Sequence, residues 1–245
     1  MYFICTMNSK EEAAVFQTDL LGRVIWNHYF EKQSSEVGLI IDGEEDEPMP
    51  SSYFFRELEG MNDAEQEALL QCRGRILDVG AGAGCHSLIL QERGFEVVAL
   101  ERSARCCEVM RSRGVKEVVE SDIMNLPSGK FDTILMLMNG FGIAGTEQGL
   151  VELLSHIKGL LAPGGKILGD STDIQYFKEA PPEMDLTAQS QNEVLFEIHA
   201  NGMSELFPWV YPDEFLLESM AEEVGLQFRV LMYTDEYHFL CEFYQ

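Results

Sequence analysis

This chain predicts an α/β fold, a doubly wound sheet with helices on both faces, and three observations carry that expectation. The run Ile76-Leu77-Asp78-Val79-Gly80-Ala81-Gly82-Ala83-Gly84 reads as a buried strand entering a glycine-rich turn and then a helix. A second aliphatic run, 95–100, ends in Glu101, 21 positions beyond Gly80. From there to Asp170, short aliphatic strands alternate with helical segments, the pattern of parallel strands joined by crossover helices.

The glycine loop is the first element to justify. Gly80, Gly82 and Gly84 permit positive φ and close backbone approach, and the first amides of the following helix, at Cys85, His86, Ser87 and Leu88, have no partner within that helix. A dinucleotide fingerprint, G-x-G-x-x-G/A, would place its last position on Cys85. What the chain carries instead is D-x-G-x-G-x-G. The helix 85–93 stops at Gly94, where a terminal glycine is expected. Glu101 then stands where α/β nucleotide folds hydrogen-bond ribose hydroxyls, its competing use being a solvated acid at a strand end. Ser103 caps a helix over 104–113 that Gly114 closes, and a third strand spans 118–123. The fourth strand, 131–138, delivers Asn139-Gly140-Phe141-Gly142 to the carboxyl edge of the sheet, where open α/β folds bind ligands. A helix around 148–161, the turn Ala162-Pro163-Gly164-Gly165 and a fifth strand, 166–170, follow.

Over Gly74 to Asp170 these motifs, in this order, resemble the class I S-adenosylmethionine (AdoMet)-dependent methyltransferases. The D-x-G-x-G-x-G loop resembles the family's motif I, and Leu161 to Gly165 resembles its L-x-P-G-G turn. The resemblance implies a Rossmann-like seven-stranded sheet with an antiparallel C-terminal strand, AdoMet as cofactor, S-adenosylhomocysteine as product, and methyl transfer to a small molecule. It implies cofactor contacts from Asp78, Gly80, Ala81, Gly82 and Gly84, from Glu101 and Arg102, and from Met138 and Asn139. Asp122 and Ile123 match the positions that meet the adenine amino group and ring. In the C-terminal part, 194–198 reads as a sixth strand, 213–224 as a helix between Pro212 and Gly225, and 228–233 with 238–243 as a terminal antiparallel pair.

Residues 1–70 are expected to form an N-terminal cap and 71–245 the methyltransferase domain. Within the cap, 12–30 predicts a helix carrying Phe16, Leu20, Val24 and the stretch from Trp26 to Phe30, and 37–41 predicts a short strand. The acidic stretch 43–48 reads as a solvated connector, and 62–72 as a helix. In related small-molecule methyltransferases this region folds over the cofactor. Tyr53 and Arg56 are therefore candidates for its methionine carboxylate, against ordinary packing and surface roles.

At 245 residues and 46% hydrophobic the chain can bury a full core. It has no apolar run of membrane-spanning length, and its opening MYFICTMNSKEE lacks the basic flank of a leader, so a soluble, cytoplasmic protein is expected. Six cysteines show no C-x-x-C pair and no zinc-like spacing with the five histidines, which predicts reduced thiols and no metal, with Cys106 and Cys107 as half-buried packing residues. A net charge of −25, from 17 basic and 42 acidic residues, argues against a nucleic-acid partner. Arg102, Arg105, Arg111, Arg113 and Lys116 read as a solvated face. Asn139-Gly140-Phe141 lacks the Pro-Pro-aromatic sequence of nucleic-acid amino-methylating enzymes and the Pro-Cys pair of cytosine-C5 enzymes. The expected partner is a small-molecule acceptor, with no membrane, and the expected state a monomer or homodimer.

Methyl transfer from a sulfonium is an in-line displacement that gains mainly from positioning and water exclusion, so no catalytic residue is obligatory. If the acceptor needs a base, His86, His199, His238, Asp170 and Glu197 are available. His86, Asn139 and Asp170 lead as catalytic candidates, although His86 has a competing use in supporting the loop. Asn139 and Phe141 read as acceptor-side residues, and Met136 as strand packing. Two other readings stand beside this one: an aminopropyl transferase-like enzyme, whose acidic motif after the fourth strand is missing here, and a non-catalytic AdoMet-binding interaction protein.

Overall fold

A computed structural model describes residues 19–174, 192–234 and 237–245. The predicted helix over 12–30 is described only from its middle: α1 (Leu20–Trp26) runs into a π-helical turn, Asn27–Glu31, while Phe16 lies outside the described residues. Two strands follow, β1 (Glu36–Ile41) and β2 (Glu44–Pro50), then α2 (Asp63–Gln71), β3 (Arg75–Val79), α3 (Cys85–Glu92), β4 (Glu96–Glu101), α4 (Ala104–Arg113) and β5 (Glu117–Glu120). The second half comprises β6 (Phe131–Met136), α5 (Glu147–Leu160), β7 (Leu161–Thr172), β8 (Glu193–Ala200), β9 (Met203–Val210), α6 (Glu214–Val224), β10 (Gln227–Tyr233) and β11 (His238–Tyr244).

The main sheet has seven strands in the order β10-β11-β7-β6-β3-β4-β5. Pairs from β5 through β7 are parallel, and β11 runs antiparallel to both of its neighbours. Alternation along each strand builds two cores. Leu77, Val79, Ile134, Met136 and Ile167 face α5 and α6, whereas Ile76, Val97, Leu135 and Leu168 face α2 and α3. α4 covers the second face farther out, with Cys107 and Met110 against Ala99. Strand order reverses beside β3, so the connections leaving β3 and β6 run to opposite faces, toward α3 and α5, and leave between them the crevice that ligands occupy in such sheets.

The structure departs from the sequence expectation at two places. The segment 194–198 is a strand but not the sixth of the main sheet, a place β10 takes; as β8 it belongs to a second, four-stranded antiparallel sheet ordered β2-β1-β8-β9. The acidic stretch 43–48 is not a loop but most of β2, an exposed edge strand of that sheet. Edge strands tolerate charge and proline, so Glu44, Glu45 and Asp46 with Pro48 and Pro50 suit that place. The hairpins themselves are closed by Asp42-Gly43 and Asn201-Gly202, both residues of each pair at positive φ (51° and 89°; 54° and 77°), as two-residue type I′ turns require.

The second sheet stands over the carboxyl edge of the first. Gly142, after β6, lies against Trp209 of β9 so closely that a Cβ there would sit 1.9 Å from the indole. α1 joins the two bodies, burying Leu20 and Val24 against Val37 and Ile198, and Ile25 against Val109 of α4. Among the described residues no helix is long and apolar enough to cross a membrane.

Candidate functional site

The loop between β3 and α3 has Gly80, Gly82 and Gly84 at φ 71°, 55° and 82°, which side-chain-bearing residues adopt at a cost. Their surroundings differ. A Cβ on Gly80 would meet nothing within 4 Å and one on Gly82 only the Gly80 carbonyl at 3.9 Å, so both border open space. A Cβ on Gly84 would press on Met110 and Val115 at 3.0 Å, which makes this glycine a packing residue between α3 and α4. The loop is held from below: Gly80 and Ala81 amides donate to the Leu100 carbonyl at 2.9 and 3.1 Å, and buried Asp78 accepts from Ser87 Oγ at 2.6 Å.

Glu101 closes the crevice beside this loop. One carboxylate oxygen accepts the Gly82 amide at 3.0 Å and the other the Ser103 amide at 2.9 Å. Two oxygens offer about four lone-pair directions, so acceptor capacity remains for a pair of ribose hydroxyls. Burial raises the Glu101 pKa, and the amides of Ser103, Gly82 and Arg102 oppose that shift. Exposed Arg102 thus reaches this carboxylate through its backbone amide and its charge. At the end of β5, exposed Asp122 accepts the Met124 amide at 2.8 Å, while Ile123 is buried beneath it.

Beyond β6, Met138 and Asn139 both take left-handed backbone conformations, φ 62° and 55°. Such strain in residues other than glycine persists where surrounding contacts hold it, often at functional sites. Here the Asn139 amide donates to Asp170 Oδ2 at 3.2 Å, and the Asn139 side-chain carbonyl accepts from Thr172 at 3.0 Å. Phe141, expected on the acceptor side, is instead fully buried: its ring stands 5.6 Å from Phe243 and lies over Gly169. The correction has a steric reason, because only a glycine at position 169 leaves room for that ring.

A polar cluster sits between the cap and the crevice. Arg56 donates to the Tyr53 carbonyl at 2.8 Å, lies 3.9 Å from the centre of the Tyr53 ring, and pairs with Glu65. The same Glu65 oxygen meets His86 Nε2 at 2.8 Å, and Oε2 accepts the Asn62 amide at 3.1 Å. Burial alone would raise the Glu65 pKa, but its bond to His86 and the charges of His86 and Arg56 leave it lowered. Glu65 was missed in the sequence because Asn62-x-x-Glu65 is a helix capping box, which it also is, and that use absorbs the signal. His86 is thereby a buried partner of Glu65. Tyr53 stays phenolic: burial raises its pKa, Arg56 lowers it, and the carboxylates of Glu65 and Asp170 add to the rise.

Asp170, on β7, completes the crevice wall. Its Oδ2 meets His238 Nε2 at 2.7 Å, and His238 Nδ1 lies 2.6 Å from Thr234 Oγ1. His199 and Glu197 are elsewhere: they alternate with Phe196 and Ile198, whose face packs toward α1, and so point to the other side of the second sheet. Arg113 also departs from expectation. It is half-buried, donates to the Ala83 carbonyl of the glycine loop and covers the Phe55 ring at 5.1 Å. Cys106 and Cys107 are fully buried rather than half-buried, and the five described cysteines are free thiols.

The methyltransferase-domain family matches residues 76–165, from β3 through the turn in β7. A solved S-adenosylmethionine-dependent methyltransferase from Bacteroides fragilis, in complex with S-adenosylhomocysteine, is 34% identical, with a TM-score of 0.82 over 92% of this chain and 94% of that one. This chain belongs to the AdoMet-dependent methyltransferase family. Curated relatives share a narrower stretch. A cypemycin N-terminal methyltransferase from Streptomyces sp. is 33% identical over 43% of this chain and 44% of the relative, and a demethylmenaquinone methyltransferase from Clavibacter sepedonicus is 35% identical over 38% and 39%. The matches thus span under half the length of these two relatives. Their named acceptors differ, so family membership carries the cofactor and leaves the acceptor to the chain's own chemistry.

Proposed function

We propose that this chain moves a methyl group from AdoMet to a small-molecule acceptor by in-line displacement. The observation that carries the reading is the juxtaposition of Gly80 and Gly82, open on the crevice side, with the Glu101 carboxylate already bonded to Gly82. The cofactor supplies an electrophilic methyl group on sulfur. Gly80, Ala81 and Gly82 bring backbone close to it, Glu101 holds its ribose, Asp122 and Ile123 take its adenine, and Met138 with Asn139 borders its amino-acid end. Arg56, already beside Tyr53, offers a charge for the methionine carboxylate, and Glu65 keeps its guanidinium in place.

The chain's part in catalysis is positioning and the exclusion of water, effects that together account for a large share of the barrier in displacements of this kind. The second sheet and the 51–56 segment cover the crevice for that purpose, which makes the cap, built from β1, β2, β8 and β9, a working part of the site. A net charge of −25 fits a small acceptor better than a nucleic acid, and the chain is proposed to act in the cytoplasm as a monomer or homodimer. The test is transfer of label from methyl-labelled AdoMet to the small-molecule fraction of a cell extract. Label in that fraction is expected; label found only in RNA or DNA would contradict the acceptor class.

A further inference from the structure

We infer that Asp170 is a catalytic residue on the acceptor side and that the acceptor is an amine attacking through a neutral N–H-bearing nitrogen. The inference rests on the methyltransferase reading and deepens it. Asp170 is 1% exposed, and its two oxygens are treated very differently. Oδ2 is shared between the Asn139 amide and His238. Oδ1 is buried and has no hydrogen-bond partner among the described residues. A buried carboxylate oxygen left without a donor carries a desolvation cost that a ligand bearing N–H would remove.

The place of that oxygen selects the ligand. Asp170 lies two residues before the carboxyl end of β7, bonded to the left-handed Asn139 turn after β6, and its charge reaches Tyr53 of the cap. It therefore stands across the crevice from the glycine loop, on the side an acceptor must approach. His238, itself held at Thr234, is a positioning residue that fixes Oδ2 and so aims Oδ1.

Charge movement in the reaction gives Asp170 its role. The amine lone pair forms the C–N bond while the C–S bond breaks, its electron pair staying on sulfur, which leaves as neutral S-adenosylhomocysteine. Positive charge thus moves from sulfur to nitrogen, and the product is a methylammonium whose extra proton passes to solvent after release. A fixed carboxylate beside the nitrogen stabilises the charge where it arrives and orients the lone pair through one N–H bond. A phenolate or carbanion acceptor would instead meet like-charge repulsion from the same group.

The inference can be tested without knowing the acceptor, using sinefungin, an AdoMet analogue that presents an ammonium-bearing carbon where the methylated sulfur stands. By titration calorimetry the full-length protein should bind sinefungin about ten-fold more tightly than S-adenosylhomocysteine, as a charge-assisted contact predicts. Asp170→Asn should abolish that preference while keeping S-adenosylhomocysteine affinity within about three-fold. If Asp170→Asn no longer binds S-adenosylhomocysteine, Asp170→Ser, which still accepts a hydrogen bond, takes its place in the comparison. Wild-type protein that binds S-adenosylhomocysteine but shows no sinefungin preference, or a preference that survives in both variants, overturns the inference. Wild-type protein that binds neither compound overturns the methyltransferase reading as well, so the two failures are distinct.

Discussion

Two carboxylates of the candidate site, Glu101 and Glu65, have pKa values displaced in opposite senses. Glu101 has a raised pKa from burial, so it takes up a proton above the ordinary value of 4.5. The proposed ribose contact needs the ionised form, so AdoMet affinity should fall as pH drops toward 4.5 and begin to fall while an ordinary glutamate is still ionised. Glu101→Gln should flatten that dependence, and Glu101→Ala should weaken binding about ten-fold or more, since each charged hydrogen bond contributes roughly 1.5–3 kcal/mol. Calorimetry across the pH range reads both. Glu65 behaves inversely: its lowered pKa means its stabilisation is fully present above 4.5 and disappears as pH falls through the folded-state value. Glu65→Gln leaves the Arg56 guanidinium buried without its counter-charge, a change expected to cost about 3–5 kcal/mol near neutral pH and less in acid, measured by denaturant unfolding. Of these two residues only Glu101 was legible in the sequence, because its distance from the glycine loop is a property of one βαβ unit. Glu65 gains its meaning from Arg56 and His86, which the fold rather than local spacing brings to it.

The strands of the main sheet were readable in the sequence, whereas the assembly of the second sheet was not. β3 through β7 follow from aliphatic runs bounded by glycine because each strand pairs within a short crossover, or against a neighbour of the same type. β8 was recognised as a strand and assigned to the wrong sheet: its partner β1 lies more than 150 residues earlier, and nothing local encodes that pairing. β2 and β9 were announced by Asp-Gly and Asn-Gly turns, but acidic and proline-containing flanks masked them. The contact that ties the second sheet to the crevice gives a prediction at this scale. Gly142→Ala places a Cβ into Trp209 and should destabilise the protein by about 1–3 kcal/mol, whereas Gly159→Ala, in α5 with nothing within 4 Å, should stabilise it by about 0.5–1 kcal/mol. Paired denaturant titrations would compare them; a neutral Gly142→Ala would show that the two sheets are not packed through that contact.

At the scale of the molecule, the cap is not a detachable lid, because its sheet draws two strands from before β3 and two from after β7. Removing 1–50 would unpair one edge of β8 and expose Ile198 and Ala200, so it should lower stability as well as ligand binding. Ligand-dependent hydrogen exchange separates cap closure from stability: adding S-adenosylhomocysteine should protect 53–56, and no protection anywhere before Gly74 would mean that the cap does not sense the crevice. The proposed AdoMet site is the crevice between β3 and β6, marked by the glycine spacing and Glu101. Calorimetric titration of the wild-type protein and its Glu101→Ala variant with AdoMet, S-adenosylhomocysteine and NAD tests it most directly. Binding of the first two, no response to NAD, and a loss of about ten-fold or more in the variant are predicted; NAD binding without an AdoMet response, or affinities indifferent to the substitution, would contradict it.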